Sequence, residues 1–373
     1  MKVVVIGAGV AGLSIGWRLV RAGCEVVVLE RARPGRGATW AAGGMIAASA
    51  ENADDTTPDA QFAARSATLW PDFARELESS SGRAVFYRRD GSLVVASSRE
   101  DLQHLSQRSS NSASLLSPEE ARGMEPMLGE RMAGALFAPD DAQVDNRALG
   151  LALAVAFTNA GGVLQMNEAV VGLEIAGGRV RGARTPFALH EGDAFVIAAG
   201  AWSGELKGIP PEARPPIVPV KGEMIAFKPP GDAVLPTRLL WGNEIYLVPR
   251  RDQLFVGATV SREGFDTAPT DAAADWLATR ARSLLPGLAH WQIVEHWAGL
   301  RPGSPDDLPV VGETAVSGLF VASGQYRNGI LFAPAIADAL HSLILERRLP
   351  PEIRAFDPQR FARQALATGD GVR

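Results

Sequence analysis

The stretch VVVIGAGVAGLSIGWRLVRAGCEVVVLE, residues 3–30, constrains the fold of this chain more than any other. The continuous apolar run 3–6 is typical of a strand buried on both faces, and 25–30 is a second such run. Between them, the apolar segment from about Val10 to Arg21 predicts a helix that ends before Gly23. A strand, a helix and a strand within so short a length form a βαβ unit, which predicts a parallel sheet.

Three glycines after the first strand, Gly7, Gly9 and Gly12, form the pattern GxGxxG, and Glu30 closes the second strand. Gly7 allows a tight turn, Gly9 lets backbone amides approach a pyrophosphate, and Gly12 brings the helix against the strand. The helix start attracts an anion, and an acid at the position of Glu30 accepts hydrogen bonds from ribose hydroxyls. The pattern predicts a dinucleotide site but does not separate NAD from FAD. A plain glycine turn is the alternative.

The segment RGATWAAGGMIAASAE, residues 36–51, is rich in glycine and alanine and follows Glu30 closely. Small residues let a flat ring system lie against the backbone, which favours FAD, although a buried helix start with the same composition is the other interpretation. The acidic stretch ENADDTTPDA, residues 51–60, predicts a solvated loop.

Composition excludes several classes of function. The chain has 373 residues, a net charge of −5, a single cysteine (Cys24) and five histidines without metal-site spacing. This length predicts two domains, and the composition predicts no nucleic-acid binding, no disulfide framework and no metal site. A strand from the second residue leaves no room for a signal peptide, and the uncharged, glycine-rich stretch 3–17 is shorter than the roughly 20 residues of a membrane span. We therefore expect a cytoplasmic enzyme.

The rest of the chain alternates between segments typical of antiparallel strands and segments typical of an α/β fold. Strand-like runs on both sides of Asp90-Gly91, within 83–97, predict a β-hairpin, and 219–260 contains further short strands broken by turns. The apolar stretch 193–204 resembles the first βαβ unit, and a helix is predicted from about Asn328 to Glu346. Antiparallel segments are thus inserted into an α/β frame.

Seven motifs occur in an order that resembles a known family: GATWAAGGMIAA, VIAAGAWSG, PVKGE, IYLVPR, VGAT, WAGLRPGSPDDLPVVG and GQYRNGILFAPA. The chain resembles the flavin-dependent amine oxidases of the D-amino acid oxidase group, and among them the bacterial glycine oxidases. The resemblance runs from Lys2 to about residue 345 and is weakest in 52–140. It implies an FAD enzyme that oxidises glycine and other small amino acids or amines, releases hydrogen peroxide, and serves thiamine biosynthesis.

The resemblance also implies an architecture like that of p-hydroxybenzoate hydroxylase. This is an α/β fold in which a discontinuous, Rossmann-like FAD-binding domain (1–82, 143–217 and 293–373) carries an inserted antiparallel β-sheet domain for the substrate (83–142 and 218–292).

The FAD-binding positions that the resemblance implies lie in four separate segments. They are Gly7, Gly9, Val10, Ala11, Gly12, Glu30, Arg31, Ala38, Thr39, Gly43, Gly44, Met45, Val170, Gly200, Gln325, Tyr326, Arg327, Asn328, Gly329, Ile330 and Leu331. Sarcosine oxidases of the monomeric type tether their flavin through a cysteine before the segment that matches SPDD. Gly299 and its neighbours offer no thiol here, so we expect non-covalent FAD.

Arg301 and Tyr246 match the residues that the family uses at the substrate, and we expect both to be catalytic. A guanidinium can hold both oxygens of an amino acid's carboxylate in one plane, whereas alone Arg301 could be a surface turn residue and Tyr246 a strand aromatic. The substrate-binding set implied by the resemblance adds Arg327, Glu244 and Ala47. An acid at 244 would favour substrates with an extra cationic group.

Arg327 sits where the last helix is predicted to begin, a position at which a cation is unfavourable unless an anion is near. The substrate carboxylate or the electron-rich edge of the reduced flavin is the expected anion. The alternative is a structural ion pair with an acid such as Asp338.

The expected reaction is hydride transfer from the substrate α-carbon to flavin N5, followed by reoxidation with O2. Two alternatives stay open on the sequence: a D-amino acid or N-methyl amino acid dehydrogenase that passes electrons to a quinone, and a non-catalytic flavin-binding module. We expect a small substrate and O2 as partners, and neither nucleic acid nor a membrane span, while assembly into a homo-oligomer stays open.

Overall fold

The computed structural model describes residues 1–51, 56–108, 113–242 and 244–361. Its helices are α1 (Val10–Arg21), α2 (Ala38–Ala41), α3 (Ala48–Glu51), α4 (Pro58–Ser81), α5 (Arg99–Ser106), α6 (Pro118–Met124), α7 (Asn146–Asn159), α8 (Asp271–Leu284) and α9 (Ala333–Leu345).

The strands are β1 (Lys2–Ile6), β2 (Glu25–Glu30), β3 (Met45–Ile46), β4 (Ser92–Ala96), β5 (Ser114–Leu116), β6 (Gly134–Ala138), β7 (Ala142–Gln143), β8 (Val163–Met166), β9 (Gly172–Ala176), β10 (Arg179–Arg184), β11 (Leu189–Glu191), β12 (Ala194–Ile197), β13 (Val218–Lys228), β14 (Leu239–Gly242), β15 (Ile245–Arg250), β16 (Gln253–Gly257), β17 (Gln292–Gly303), β18 (Val310–Glu313) and β19 (Leu319–Ser323).

The first sheet has six strands in the order β18-β19-β12-β1-β2-β8, and β1 pairs in parallel with both β2 and β12. Val3 and Val5 face a cluster formed with α1, α4, α7 and α9, whereas Val4 and Ile6 face the small antiparallel sheet β9–β11. The apolar run 3–6 is therefore covered on both faces, as a parallel sheet requires. The predicted βαβ unit is confirmed.

The second sheet has eight strands in the order β17-β13-β16-β15-β14-β4-β6-β5, nearly all antiparallel. Its apolar face packs on α8 through residues such as Leu277 and Leu284. The predicted fold class, a Rossmann-like α/β part with an inserted antiparallel sheet, is confirmed. The exact division into domains stays a prediction. The predicted boundary at 293 falls inside β17, which pairs along its length with β13 of the second sheet.

Two local predictions are wrong. The runs on either side of Asp90-Gly91 do not form a hairpin, because β4 pairs with the distant strand β6 and Arg88 bridges Gln143 instead. The last helix begins at Ala333 rather than near Asn328, and turns precede it. Pro334 suits that start, since a proline in the first turn removes only an amide that has no helical partner.

Within the described residues, no helix has both the length and the apolar character needed to cross a membrane.

Candidate active site

A cavity of about 1360 Å³ lies between the two main sheets. One wall is formed by the segments that follow β1, β2, β12 and β19, which are the carboxyl ends of the parallel strands, and the other wall is formed by β13, β15 and β17. Ligands of open α/β sheets bind at this end of the strands. The volume exceeds the roughly 300–1000 Å³ of a pocket for one drug-sized molecule, so a dinucleotide and a small substrate fit together.

The glycine turn is packed so tightly that side chains are excluded. Gly7 has φ +105°, and a Cβ there would lie 2.5 Å from the carbonyl oxygen of Ala198, while a Cβ at Gly12 would lie 2.0 Å from the carbonyl oxygen of Gly7. Gly7, Gly9, Val10 and Ala11 line the cavity, whereas Gly12 is set back and allows the close approach of α1. This geometry agrees with the tight turn predicted at Gly7 and the close helix packing predicted at Gly12, whereas the pyrophosphate contact at Gly9 stays a prediction.

The acid at the end of β2 is fixed by backbone amides. Glu30 accepts hydrogen bonds from Ala8 N at 2.8 Å and from Ala32 N at 3.0 Å, so its carboxylate stands at the cavity wall beside the glycine turn. The guanidinium of Arg31 lies over the ring of Trp202, 3.4 Å from its centroid. Val170 and Gly200 line the same end, which is therefore the candidate nucleotide end.

The segment 36–45 forms the middle of the cavity wall through Ala38, Thr39, Gly43, Gly44 and Met45. Thr39 Oγ1 accepts a hydrogen bond from Val10 N at 2.9 Å, which ties this segment to the glycine turn. Arg250 donates to the carbonyl oxygen of Gly43, and a Cβ at Gly44 would lie 2.2 Å from the carbonyl oxygen of Val144. The backbone of this segment is therefore fixed at the cavity wall, and its glycines present no side chains to a flat ligand.

The segment 325–331 closes the cavity from the side of β19. Gln325, Tyr326, Arg327, Gly329 and Ile330 line it. The amide nitrogen of buried Gln325 has no hydrogen-bond partner among the described residues. A buried donor without a partner is costly, so this amide suits a ligand rich in acceptors, and it fits a flavin together with the glycine turn.

Two positions of this segment differ from the prediction. Asn328 and Leu331 do not line the cavity. The carbonyl oxygen of Leu331 instead accepts hydrogen bonds from Ser66 Oγ at 2.6 Å and Trp70 Nε1 at 3.0 Å, both on α4. Leu331 therefore anchors the segment from behind.

Arg301 on β17 and Tyr246 on β15 both reach the cavity from the second sheet. Arg301 Nη1 donates to the carbonyl oxygens of Lys221 at 3.3 Å and Thr259 at 3.1 Å. A Cβ at Gly222 would lie 2.2 Å from Arg301 Nη1, so glycine there gives the guanidinium its space.

A glycine on the neighbouring strand also leaves space for the side chain of Tyr246. A Cβ at Gly257 would lie 2.6 Å from its hydroxyl oxygen, which stands 3.6 Å from Met224 Sδ. Burial raises the pKa of Tyr246 although Arg301 and Arg327 oppose the rise, so the hydroxyl remains a hydrogen-bond donor at neutral pH.

The surroundings of Arg327 differ from those expected for an arginine at a helix start. With α9 starting at Ala333, Arg327 is not at a helix start, and the mild penalty expected there does not arise. The alternative ion pair is not formed, because Asp338 accepts a 2.8 Å hydrogen bond from Arg18 Nε. Arg327 lines the cavity with Arg301 and Tyr246.

Glu51 is a site residue that the sequence reasoning missed. The stretch 51–60 reads as a solvated loop, yet Glu51 ends α3 and lines the cavity, and α4 already begins at Pro58; residues 52–55 lie outside the described residues. Burial raises the pKa of Glu51 to about 7, opposed by the nearby charges of Arg327 and Arg301. Its position directly after the glycine- and alanine-rich segment was the available signal.

Glu244 and Ala47, the other predicted substrate residues, contribute less. Glu244 lines the cavity, but its side chain is 73% exposed and accepts hydrogen bonds from Arg280 Nε at 3.2 Å and Nη2 at 2.9 Å. Its charge is therefore already matched, which argues against a demand for a cationic substrate. Ala47 does not line the cavity; it is buried in a cluster with Met224 and Val248.

No thiol is placed for a covalent flavin link. A Cβ at Gly299 would lie 2.4 Å from the Cβ of Ala41, so this position has no room for a cysteine, and Cys24 lies in the turn between α1 and β2. Among the described residues, no three His, Cys, Asp or Glu side chains group as a metal site would need.

Acid or heat precipitation of the purified yellow protein should therefore release intact FAD into the supernatant. The measurement is chromatography of the supernatant beside the absorbance of the washed pellet. Flavin that stays with the denatured chain would contradict non-covalent binding.

Comparison with known proteins agrees with this geometry. A family model described as DAO, FAD dependent oxidoreductase, matches residues 2–343. The bifunctional protein ThiO/ThiG of Trichormus variabilis is 35% identical over 98% of this chain but only 56% of its own length, so the chain spans little more than half of that relative. Glycine oxidase of Pseudomonas aeruginosa is 36% identical over 93% of this chain and 95% of its own. The crystal structure of glycine oxidase from Geobacillus kaustophilus superimposes with a TM-score of 0.90 at 31% identity, covering 96% of this chain and 99% of that one.

Proposed function

This chain belongs to the DAO family of FAD-dependent oxidoreductases, and from that premise we propose that it is an oxidase of glycine and other small amino acids or amines. One observation carries the proposal. Arg301, Arg327 and Tyr246 line the same cavity as the glycine turn and Glu30, and both arginines lie close enough to Tyr246 to act on the pKa of its hydroxyl. The similarity to glycine oxidases over nearly the whole chain supports glycine as the leading substrate.

The chain's own residues bind and orient the substrate. Arg301 and Arg327 hold the carboxylate, since a guanidinium offers paired donors to two oxygens, and the Tyr246 hydroxyl donates a further hydrogen bond to it. When bound, FAD supplies the acceptor for a hydride from the substrate α-carbon and passes the electrons on to oxygen. Fixing the carboxylate holds the α-carbon in one place, which is the main requirement of such a transfer.

No histidine lines the cavity among the described residues, so the amine must lose its proton to solvent or to a carboxylate of the site. Oxygen as the electron acceptor is the part of the proposal that rests on the resemblance, and assembly into a homo-oligomer stays open.

A substrate panel tests the proposed function. The FAD-loaded protein is mixed with glycine, sarcosine, D-alanine and D-proline, and hydrogen peroxide is measured with coupled peroxidase. The same panel is repeated without oxygen in the presence of a soluble quinone. Peroxide from at least one of these amino acids supports the oxidase. Reduction of the quinone alone would favour the dehydrogenase, and no turnover in either assay would favour a flavin-binding module.

Replacing Arg327 with alanine should raise KM and slow flavin reduction by substrate, each by about tenfold or more, because a charged hydrogen bond to the carboxylate is lost. Stopped-flow absorbance follows the reduction, and a melting curve is recorded on the same sample.

Arg18→Ala is the matched control, since it removes an arginine that pairs with Asp338 away from the cavity. It should lower the melting temperature and leave flavin reduction at the wild-type rate. A normal reduction rate in Arg327→Ala would remove that arginine from the substrate site.

A further inference from the structure

Glu51 is held at the cavity wall by charges at both ends of α3. Asp141 accepts hydrogen bonds from Ser49 N and Ala50 N, each at 3.0 Å, at the start of this short helix. Arg108 donates to the carbonyl oxygens of Ser49 at 3.2 Å and Ala50 at 2.5 Å. The backbone of the helix that carries Glu51 is therefore anchored beside the cavity that Glu51 lines.

That place is the substrate end. Glu51 lines the cavity together with Tyr246, Arg301 and Arg327, and its charge interacts with those of both arginines. Yet among the described residues no hydrogen bond or ion pair links Glu51 to either guanidinium, and the interaction is one of charge alone. Arg301 is occupied instead by the backbone carbonyls of Lys221 and Thr259. The two cations and the acid thus surround open space rather than forming an ion pair.

A substrate carboxylate placed between the two arginines enters the field of Glu51. Two like charges a few ångströms apart in a partly desolvated site repel strongly, and the repulsion disappears when one of them is protonated. Glu51 can take that proton at little cost, because burial already raises its pKa to about 7.

On the basis of the proposed function, we propose that Glu51 is the proton-storing residue of the substrate site. Its carboxylate takes up one proton from solvent when the carboxylate of a substrate binds to Arg301 and Arg327. The balance is that one O–H bond forms at a Glu51 carboxyl oxygen while the bond to the same proton breaks in the hydronium ion or buffer acid that supplies it. The site then accepts a carboxylate together with a proton, and Glu51 sets the pH range in which small carboxylates bind well.

The direction of the pH effect follows from the linkage. Below pH about 7, Glu51 is already protonated in the free protein, so a carboxylate binds without repulsion. Above that pH, Glu51 is ionised in the free protein, and binding must either draw in a proton or accept the repulsion. The dissociation constant of a carboxylate should therefore be lowest below pH 7 and rise as the pH increases.

The other groups that face Glu51 do not titrate in the same way. The charges of Arg301 and Arg327 lower the pKa of Glu51, and burial raises the pKa of Tyr246, which remains a neutral phenol. The pKa of Asp141 is closer to that of Glu51, because burial raises it to about 6. Protonation of Asp141 would loosen α3. Arg108, at the other end of α3, also remains charged. Measurements from pH 6.5 upward therefore separate Glu51 from Asp141.

The test uses acetate as a non-reacting carboxylate and the FAD-loaded protein. Its dissociation constant is measured between pH 6.5 and 9 from the change in flavin absorbance, and proton uptake is measured with an indicator dye in weak buffer. Acetate stays ionised over this range, since carboxyl pKa values lie near about 4. The wild-type dissociation constant should rise about tenfold between pH 6.5 and 8.5, with proton uptake near pH 7.5.

Glu51→Gln should remove both effects and bind acetate more tightly than wild type at pH 8.5. Glu191→Gln is the matched control, because it removes a negative charge from an exposed position on β11, outside the cavity lining, and it should keep the wild-type pH dependence. A wild-type rise and proton uptake that persist in Glu51→Gln would overturn the inference. So would a wild-type dissociation constant that does not change with pH, which needs no variant.

The same measurements distinguish a failure of the proposed function from a failure of this inference. If acetate does not perturb the flavin at any pH, and Arg301→Ala changes nothing, the carboxylate site itself is absent and both are overturned. If acetate binds through Arg301 but Glu51→Gln behaves as wild type, only the role of Glu51 is overturned.

Discussion

Replacing Arg301 with alanine should raise the KM for glycine and other amino acids by at least about thirtyfold. A desolvated carboxylate that loses its charged partner costs about 2–5 kcal/mol, and Arg301 is held in place by two backbone carbonyls and by the space at Gly222. Arg301→Lys should recover only part of the loss, because an ammonium cannot offer a planar pair of donors. Steady-state kinetics with the best substrate of the panel measures both variants.

Arg280→Ala is the matched control for this prediction. It removes an arginine that pairs with exposed Glu244 at the rim of the site and does not line the cavity. Its KM should stay within about twofold of the wild type, because surface ion pairs contribute little. An unaltered KM in Arg301→Ala would place the carboxylate elsewhere.

Replacing Gly7 with alanine should abolish stable FAD binding. A Cβ at this position would lie 2.5 Å from the carbonyl oxygen of Ala198 and 2.9 Å from its carbonyl carbon, so β1 and β12 would have to separate where they form the floor of the cavity. The left-handed backbone at φ +105° adds its own strain of about 1–2 kcal/mol for an L side chain. Flavin content after gel filtration and the FAD dissociation constant are the measurements.

Gly23→Ala separates these two causes. Gly23 also has positive φ, +88°, and lies in the same βαβ unit, but nothing stands within 4 Å of the position its Cβ would take. It should lose some stability and keep its FAD. If both variants retain FAD equally well, the tight packing of the glycine turn is not what the cofactor requires.

The parts of the fold that could be predicted from sequence are those set by local pattern. The apolar runs 3–6 and 25–30 must be buried whatever surrounds them, and the glycines between them fix the turn. The Asp90-Gly91 signal was equally local but failed, because β4 gains more from pairing with β6 and β14 than a two-strand hairpin would provide. A short turn signal is weak when distant partners compete for the same strand.

The site residues could not be predicted from local sequence pattern either. Tyr246 and Arg301 were found through motifs that resemble those of a family, not through any local pattern, since strand aromatics and turn arginines are common. Glu51 was missed because an acid in a polar stretch reads as solvated, and the strands β15 and β17 that line the same cavity come from distant parts of the chain. The pairing of Asp338 with Arg18 likewise joins α9 to α1 across a long stretch of chain, which local sequence does not reveal.

The hydrogen bonds from Ser66 and Trp70 to the carbonyl oxygen of Leu331 limit how this chain can evolve. Helix α4 belongs to the segment where the family resemblance is weakest, so it could be taken as free to drift. Its two donors nevertheless fix the back of the loop that presents Gln325 and Arg327 to the cavity. Drift on α4 is therefore confined to its outer face, and a change at either donor would alter the substrate end without touching a residue that lines it.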